Sequence, residues 1–267
     1  MRFDVPWRRK RWSALALGSL GVAACTLATL LVAGDAGVTA RQQPTGPTEP
    51  LLPANAPPNG GTALPMLGVA AHLTVFGQTP QRQLAGWAGG LSDRLNVPRA
   101  AMQAYGYATA RLQRERPACR ITWTLLAGIG QVESNHGRFN GARLDAEARP
   151  TVPIRGLPLD GRPGVKSIPD SDGGVLDGDT VWDRAVGPMQ FIPTTWRSWG
   201  ADADGDGRAD PNDLDDAALA AARYLCASGG DLGTESGWWR GVLTYNESRR
   251  YAQDVLDRAD RYGRLSR

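Results

Sequence analysis

The chain has 267 residues, is 42% hydrophobic and carries a formal charge of +3. That hydrophobic content supports a packed core and excludes an intrinsically disordered chain. Arg2, Arg8, Arg9, Lys10 and Arg11 against Asp4 account for more than all of the charge, so the body is close to neutral and shows no nucleic-acid signal.

Residues 1–12 read as a basic cytoplasmic stub. Residues 13–34, "SALALGSLGVAACTLATLLVAG", are uncharged and long enough to cross a bilayer, and the positive charge before them directs the remainder outward. A signal peptide cleaved after Ala40 is the rival reading. Either way, the rest is expected outside the cytoplasm, in the cell envelope, anchored or secreted. Residues 35–66 hold seven prolines between Arg41 and Pro65 and read as a flexible tether. Cys25 falls in the apolar segment, and in an oxidising compartment the other two cysteines, Cys119 and Cys226, are expected to pair.

Residues 67–267 are predicted to fold as one mostly α domain. Helical periodicity appears from Pro98 ("PRAAMQAYGYATARLQRE"), where proline suits the first turn, and from Ile121 ("ITWTLLAGIGQVES"). It returns in "PMQFIPTTWRSW", "LDDAALAAARYLCASG", "GWWRGVLTYN" and "SRRYAQDVLDRADRYG", and no stretch alternates convincingly as a strand. Between Asn140 and Asp183 the chain turns rich in Gly, Pro and Asp, which fits either a substrate-covering loop or a disordered insertion.

Glu133 stands out in the second helix. At about 100° per residue it projects within about 20° of Leu126 and about 40° of Ile129, which puts a carboxylate on an apolar stripe. If covered there, it loses hydration, its pKa rises and it can serve as a general acid near neutral pH. Gly137 is placed to end this helix. His136, one turn after Glu133, reads as a cap or a solvent-facing side chain, with tuning of the acid as the alternative, and Trp123 and Trp182 read as core.

"DADGDGRADPNDLDD", from Asp202 to Asp216, reads as an EF-hand-like calcium loop, against the alternative of a merely soluble Asp-Gly loop. Asp202, Asp204 and Asp206 occupy positions 1, 3 and 5, glycine follows at 6, Arg208 offers a carbonyl at 7, and Asp213 stands at 12 where Glu is usual. A lone loop of this kind points to structural Ca²⁺. With only two histidines, His72 and His136, and no ligand spacing to the cysteines, zinc is not expected, and no organic cofactor is implied.

The words "QVESNHGRF", then "AVGPMQFIPTTW", then "LTYNES" resemble, in that order, the lytic murein transglycosylases, most closely their family B with its lysozyme-like fold. The resemblance covers roughly Pro98 to Gly263. It implies that Glu133 is the single catalytic acid, with Ser134, Met189, Gln190, Phe191, Tyr245, Asn246 and Tyr251 binding the glycan, and that the closing calcium ligand is Asp216 rather than Asp213. The implied partner is the peptidoglycan glycan strand. The implied reaction breaks the bond between N-acetylmuramic acid and N-acetylglucosamine without water, leaving 1,6-anhydro ends. The alternatives are a hydrolytic muramidase in which Asp145, Glu147 or an acid of the long loop positions water, and a non-catalytic wall-binding protein.

Overall fold

The computed structural model describes residues 56–67 and 79–267. The basic stub, the apolar segment, residues 35–55 of the tether and His72 lie outside the described residues. Among the described residues no helix is long and apolar enough to cross a membrane.

The described domain is mostly helical, as its periodicity predicts. A 3-10 turn, Pro80–Leu84, leads into α1 (Ala85–Leu95), and α2 (Arg99–Glu115) begins after Pro98, which acts as the N-cap. In α3 (Trp123–Ser134) every residue from Trp123 to Gly130 is buried, so this helix is wrapped by its neighbours. Its main partner is α7 (Arg249–Leu265), a strongly amphipathic helix that turns Tyr251, Val255, Ala259 and Tyr262 inward. At the centre lies α5 (Leu214–Gly229), whose run Ala217–Ala222 is fully buried between α2 and α6 (Glu235–Tyr245). Small side chains there let three helices approach closely while still removing apolar surface from water.

Cys119, in the turn after α2, is bonded to Cys226 of α5 with a Cα–Cα distance of 5.4 Å and a sequence separation of 107. Closing a loop of that length restricts the unfolded chain by about 4–5 kcal/mol on chain-entropy grounds. Replacing both cysteines by alanine is therefore expected to lower unfolding free energy by roughly 3–5 kcal/mol, read from denaturant melts of the oxidised chain and the double variant. Equal midpoints would remove the bond from the stability account.

Three expectations change. First, two short strands exist: β1 (Arg155–Pro158) pairs antiparallel with β2 (Arg184–Val186), and isolated bridges join Asp160 to Ser167 and Pro169 to Trp182. The 140–183 insertion is thus folded. Its aspartates hold it: Asp170 accepts the N–H groups of Asp172, Gly173 and Gly174, Asp172 those of Val175 and Leu176, and Asp179 those of Val181 and Trp182.

Second, the end of the tether is packed. The Trp123 indole donates to the Thr62 carbonyl at 3.0 Å, Thr124 donates to the Asn59 carbonyl at 3.2 Å, and the Thr62 N–H donates to the Ser266 hydroxyl at 2.9 Å. Ala56 is buried and Leu64 rests on the core, so residues 56–66 belong to the folded body. Third, helix α4 spans only Pro193–Trp199, because Gly187–Gln190 forms a tight turn before it.

Candidate active site

Helix α3 stops immediately after the acid. Asn135 and His136, the two residues before Gly137, where the sequence suggests the stop, both take left-handed backbone angles, φ 53° and 60°. The Ser134 hydroxyl then donates to the Pro188 carbonyl at 2.6 Å and accepts the Gly137 N–H at 2.8 Å. The end of the acid's helix is thereby stapled to the turn built from "GPMQ".

That turn has its own constraints. Gly187 sits at φ 74°, and the Gln190 N–H and side-chain amide both donate to its carbonyl, at 3.1 and 2.9 Å. Gln190 itself is left-handed at φ 52°. The Met189 carbonyl accepts the Tyr245 hydroxyl at 2.8 Å.

Glu133 opens onto a cleft of ≈ 1010 Å³. Gln190, Phe191 and Tyr245 line it beside the acid; the insertion contributes Leu157, Leu159, Val165 and Lys166, and the end of α6 with the following turn contributes Leu243, Asn246 and Glu247. Tyr251, from the first turn of α7, donates its hydroxyl to Glu133 Oε1 at 2.6 Å. Burial pushes the Glu133 carboxyl up to about 7, and the Tyr251 hydrogen bond offsets part of that rise. Phe191, Tyr245, Tyr224 and Trp199 form a chain of ring contacts with centroids 5.6–5.9 Å apart.

The residues singled out from sequence divide into two groups. Gln190, Phe191, Tyr245 and Asn246 line the cleft, and Tyr251 touches the acid. Ser134, 1% exposed, and Met189, fully buried, do not reach a ligand through their side chains; they hold the acid's helix, the turn and Tyr245 together. His136 neither caps α3 with its ring nor faces solvent; the ring is fully buried. Trp123 is core, as expected, and Trp182 is half-buried at a bridge. Tyr224 and Lys166 carry no sequence signal, since each sits in a helix or loop that reads as ordinary surface, and Glu247 lies inside "LTYNES" but is not singled out by it.

Glu133 and Glu247 are the carboxylates that line the cleft among the described residues. Glu247 is exposed and paired with Lys166 at 3.1 Å, linking the α6–α7 turn to the insertion. Asp145 is occupied by the N–H groups of Glu147 and Arg149, and neither Asp145 nor Glu147 borders the cleft.

In the loop after α4, carboxylate oxygens of Asp202, Asp204 and Asp216 lie within 4.8 Å of one another. Asp216 is buried at the start of α5 and accepts the N–H groups of Ala203 (2.6 Å) and Asp210 (2.9 Å). Asp213 instead caps α5 by accepting the Asp215 N–H and lies 3.0 Å from Arg149, while Asp206 lies 3.3 Å from the same guanidinium and accepts the Arg208 N–H. Hard oxygen donors gathered this closely suit a calcium-sized cation.

Residues 176–239 match the family described as the transglycosylase SLT domain. The matched segment holds the Gly187–Gln190 turn, α4, the Asp202–Asp216 loop and α5; Glu133, Tyr245 and Tyr251 join it from outside. No curated protein matches the sequence. Among solved structures, the chain is similar to the Escherichia coli lytic transglycosylase SLT35 in complex with calcium, at 14% identity over 68% of this chain and 78% of that one, with a TM-score of 0.41. It is also similar to Pseudomonas aeruginosa SltB3 in complex with NAG-anhNAM-pentapeptide (20% identity, 66% of each chain, TM-score 0.36). Soluble lytic transglycosylase SltB1 of the same organism is similar too, at 16% identity over 72% of this chain and 85% of that one, TM-score 0.39.

Proposed function

We propose that the chain is a peptidoglycan lytic transglycosylase with a lysozyme-like domain, in which Glu133 acts first as acid and then as base. The observation that carries this reading is the Glu133 carboxyl itself, held by Tyr251 on a large cleft with its proton affinity raised to near neutrality.

Glu133 protonates the oxygen joining N-acetylmuramic acid to N-acetylglucosamine, and that C–O bond breaks. The substrate's acetamido group stabilises the cation developing at C1. The Glu133 carboxylate then takes the proton of the muramic acid O6 hydroxyl as O6 bonds to C1, closing the 1,6-anhydro ring and restoring the acid. No water enters. One carboxyl near pKa 7 serves both turns, so the missing second carboxylate of ordinary glycosidases is no obstacle. Gln190, Tyr245 and Asn246 supply polar contacts to the sugars, and Phe191 a wall. Such an enzyme works on glycan strands in the cell envelope, reached through the N-terminal segment as an anchor or a signal.

The test is mass spectrometry of purified peptidoglycan after digestion. Anhydro-muropeptides support the reading, whereas reducing ends, one water heavier, would replace it with hydrolysis.

Asp202, Asp204 and Asp216 would hold Ca²⁺, which supplies a structural cross-link between the loop and α5 and no step of the reaction. A cation bound only by the folded state is expected to raise the melting temperature by several degrees in millimolar Ca²⁺ over EDTA, with Asp216→Asn abolishing the difference. Coincident melts for the unaltered chain would remove calcium from the account.

A further inference from the structure

Behind the acid, the His136 ring is fully buried between two tyrosines: Nδ1 lies 3.1 Å from the Tyr105 hydroxyl of α2, and Nε2 lies 2.8 Å from the Tyr262 hydroxyl of α7. The Tyr262 hydroxyl also donates to the Gln131 side-chain oxygen. A phenol has one proton, and Tyr262 spends it on Gln131. Its oxygen must then accept from His136 Nε2–H, which leaves Nδ1 bare to accept from Tyr105. With the Gln131 side-chain oxygen facing Tyr262, one proton arrangement satisfies every partner, running from Tyr105 to His136 to Tyr262 to Gln131.

The surroundings are built for this relay. A Cβ on Gly130 would lie 2.0 Å from the Tyr105 oxygen, so only glycine admits the hydroxyl there. The His136 N–H donates to the Gly130 carbonyl at 2.8 Å, tying the left-handed turn back onto α3. Gln131 and His136 flank Glu133 in sequence, and Tyr262 shares α7 with Tyr251, the acid's partner. Burial and the nearby Arg138 push the imidazole down to about 3, in keeping with a ring that stays neutral.

We propose that His136 is a positioning residue, locked as the neutral Nε2–H tautomer, whose relay fixes the end of α3 between α2 and α7 and so sets where the Glu133 carboxyl meets Tyr251. Its kinetic part rests on the function proposed above; its structural part does not.

The chain has only two histidines, so ¹⁵N-histidine spectra of the full chain are assignable with a His72→Gln variant. One imidazole is expected to show the neutral Nε2–H pattern unchanged from pH 5 to 8; a His136 ring that titrates in that range, or carries its proton on Nδ1, overturns the proposal. In kinetics, Tyr262→Phe keeps the packed ring and removes the hydroxyl that joins His136 to Gln131. It is expected to lower kcat about tenfold at unchanged KM, as a slightly misplaced acid would. Wild-type kcat in a folded Tyr262→Phe variant also overturns it. Tyr105→Phe, which removes only the first donor, is the second variant should Tyr262→Phe fail to fold, read by the same split of kcat from KM. Absence of anhydro products from the unaltered chain would strike the proposed reaction instead, leaving the spectra to decide the relay.

Discussion

Glu133→Gln is expected to abolish turnover of peptidoglycan, with a loss of about three orders of magnitude in anhydro-muropeptide formation and little change in glycan affinity. Gln keeps the size and the hydrogen bond from Tyr251 but has no acidic proton to transfer. The pH dependence follows from the same group. Glu133 must be protonated to open the reaction, so the rate is expected to fall about tenfold per pH unit above about 7. A flat profile from pH 6 to 9, or near-normal activity in the variant, would take the acid's role away from this residue.

The acid also carries a stability signature. Its folded pKa is raised to about 7 from an ordinary 4.5, so its contribution to stability is fully present below about pH 4.5 and is lost as pH rises through 7. Glu133→Gln has no charge to bury. Relative to the unaltered chain, the variant is expected to gain on the order of 1–3 kcal/mol between pH 4.5 and pH 8, read from paired denaturant melts. A gap that stays constant with pH would mean that the carboxyl is not desolvated.

Gly187→Ala is expected to be the most damaging single methyl group in the domain. The backbone there is left-handed, and a Cβ would lie 1.8 Å from the Pro211 carbonyl oxygen. Either the turn or the chain at Pro211 must move, at a cost of at least about 3 kcal/mol. The turn supplies the carbonyls that Ser134 and Tyr245 use, and the chain at Pro211 leads into α5. Activity should therefore fall with stability, and a variant that melts within a degree of the parent would show that the turn tolerates the shift.

The sequence revealed most of the helical domain because burial on one helical face imposes a 3.6-residue period, clearest in α2, α3 and α7. Glu133 was legible for the same reason, as a break in an apolar stripe. The insertion was not. Its order comes from aspartates capturing backbone N–H groups a few residues on, and such a sequence has the composition of a disordered one. Ser134 and Met189 were misplaced on the cleft because adjacency in a motif fixes which backbone is nearby, not which way a side chain points. The buried relay through His136 joins it to tyrosines 31 and 126 residues away, and no local pattern announces it.

The packed strip at residues 56–66 has a mechanical consequence. Tension on the chain ahead of Ala56 would first load the hydrogen bonds at Asn59 and Thr62, which share their partners between the last residues of the chain and the first turn of α3. Those few bonds act as a weak link in series with the helical core. Force would peel the strip before it strained α3, leaving Glu133 and Tyr251 in register while the strip came away from Trp123.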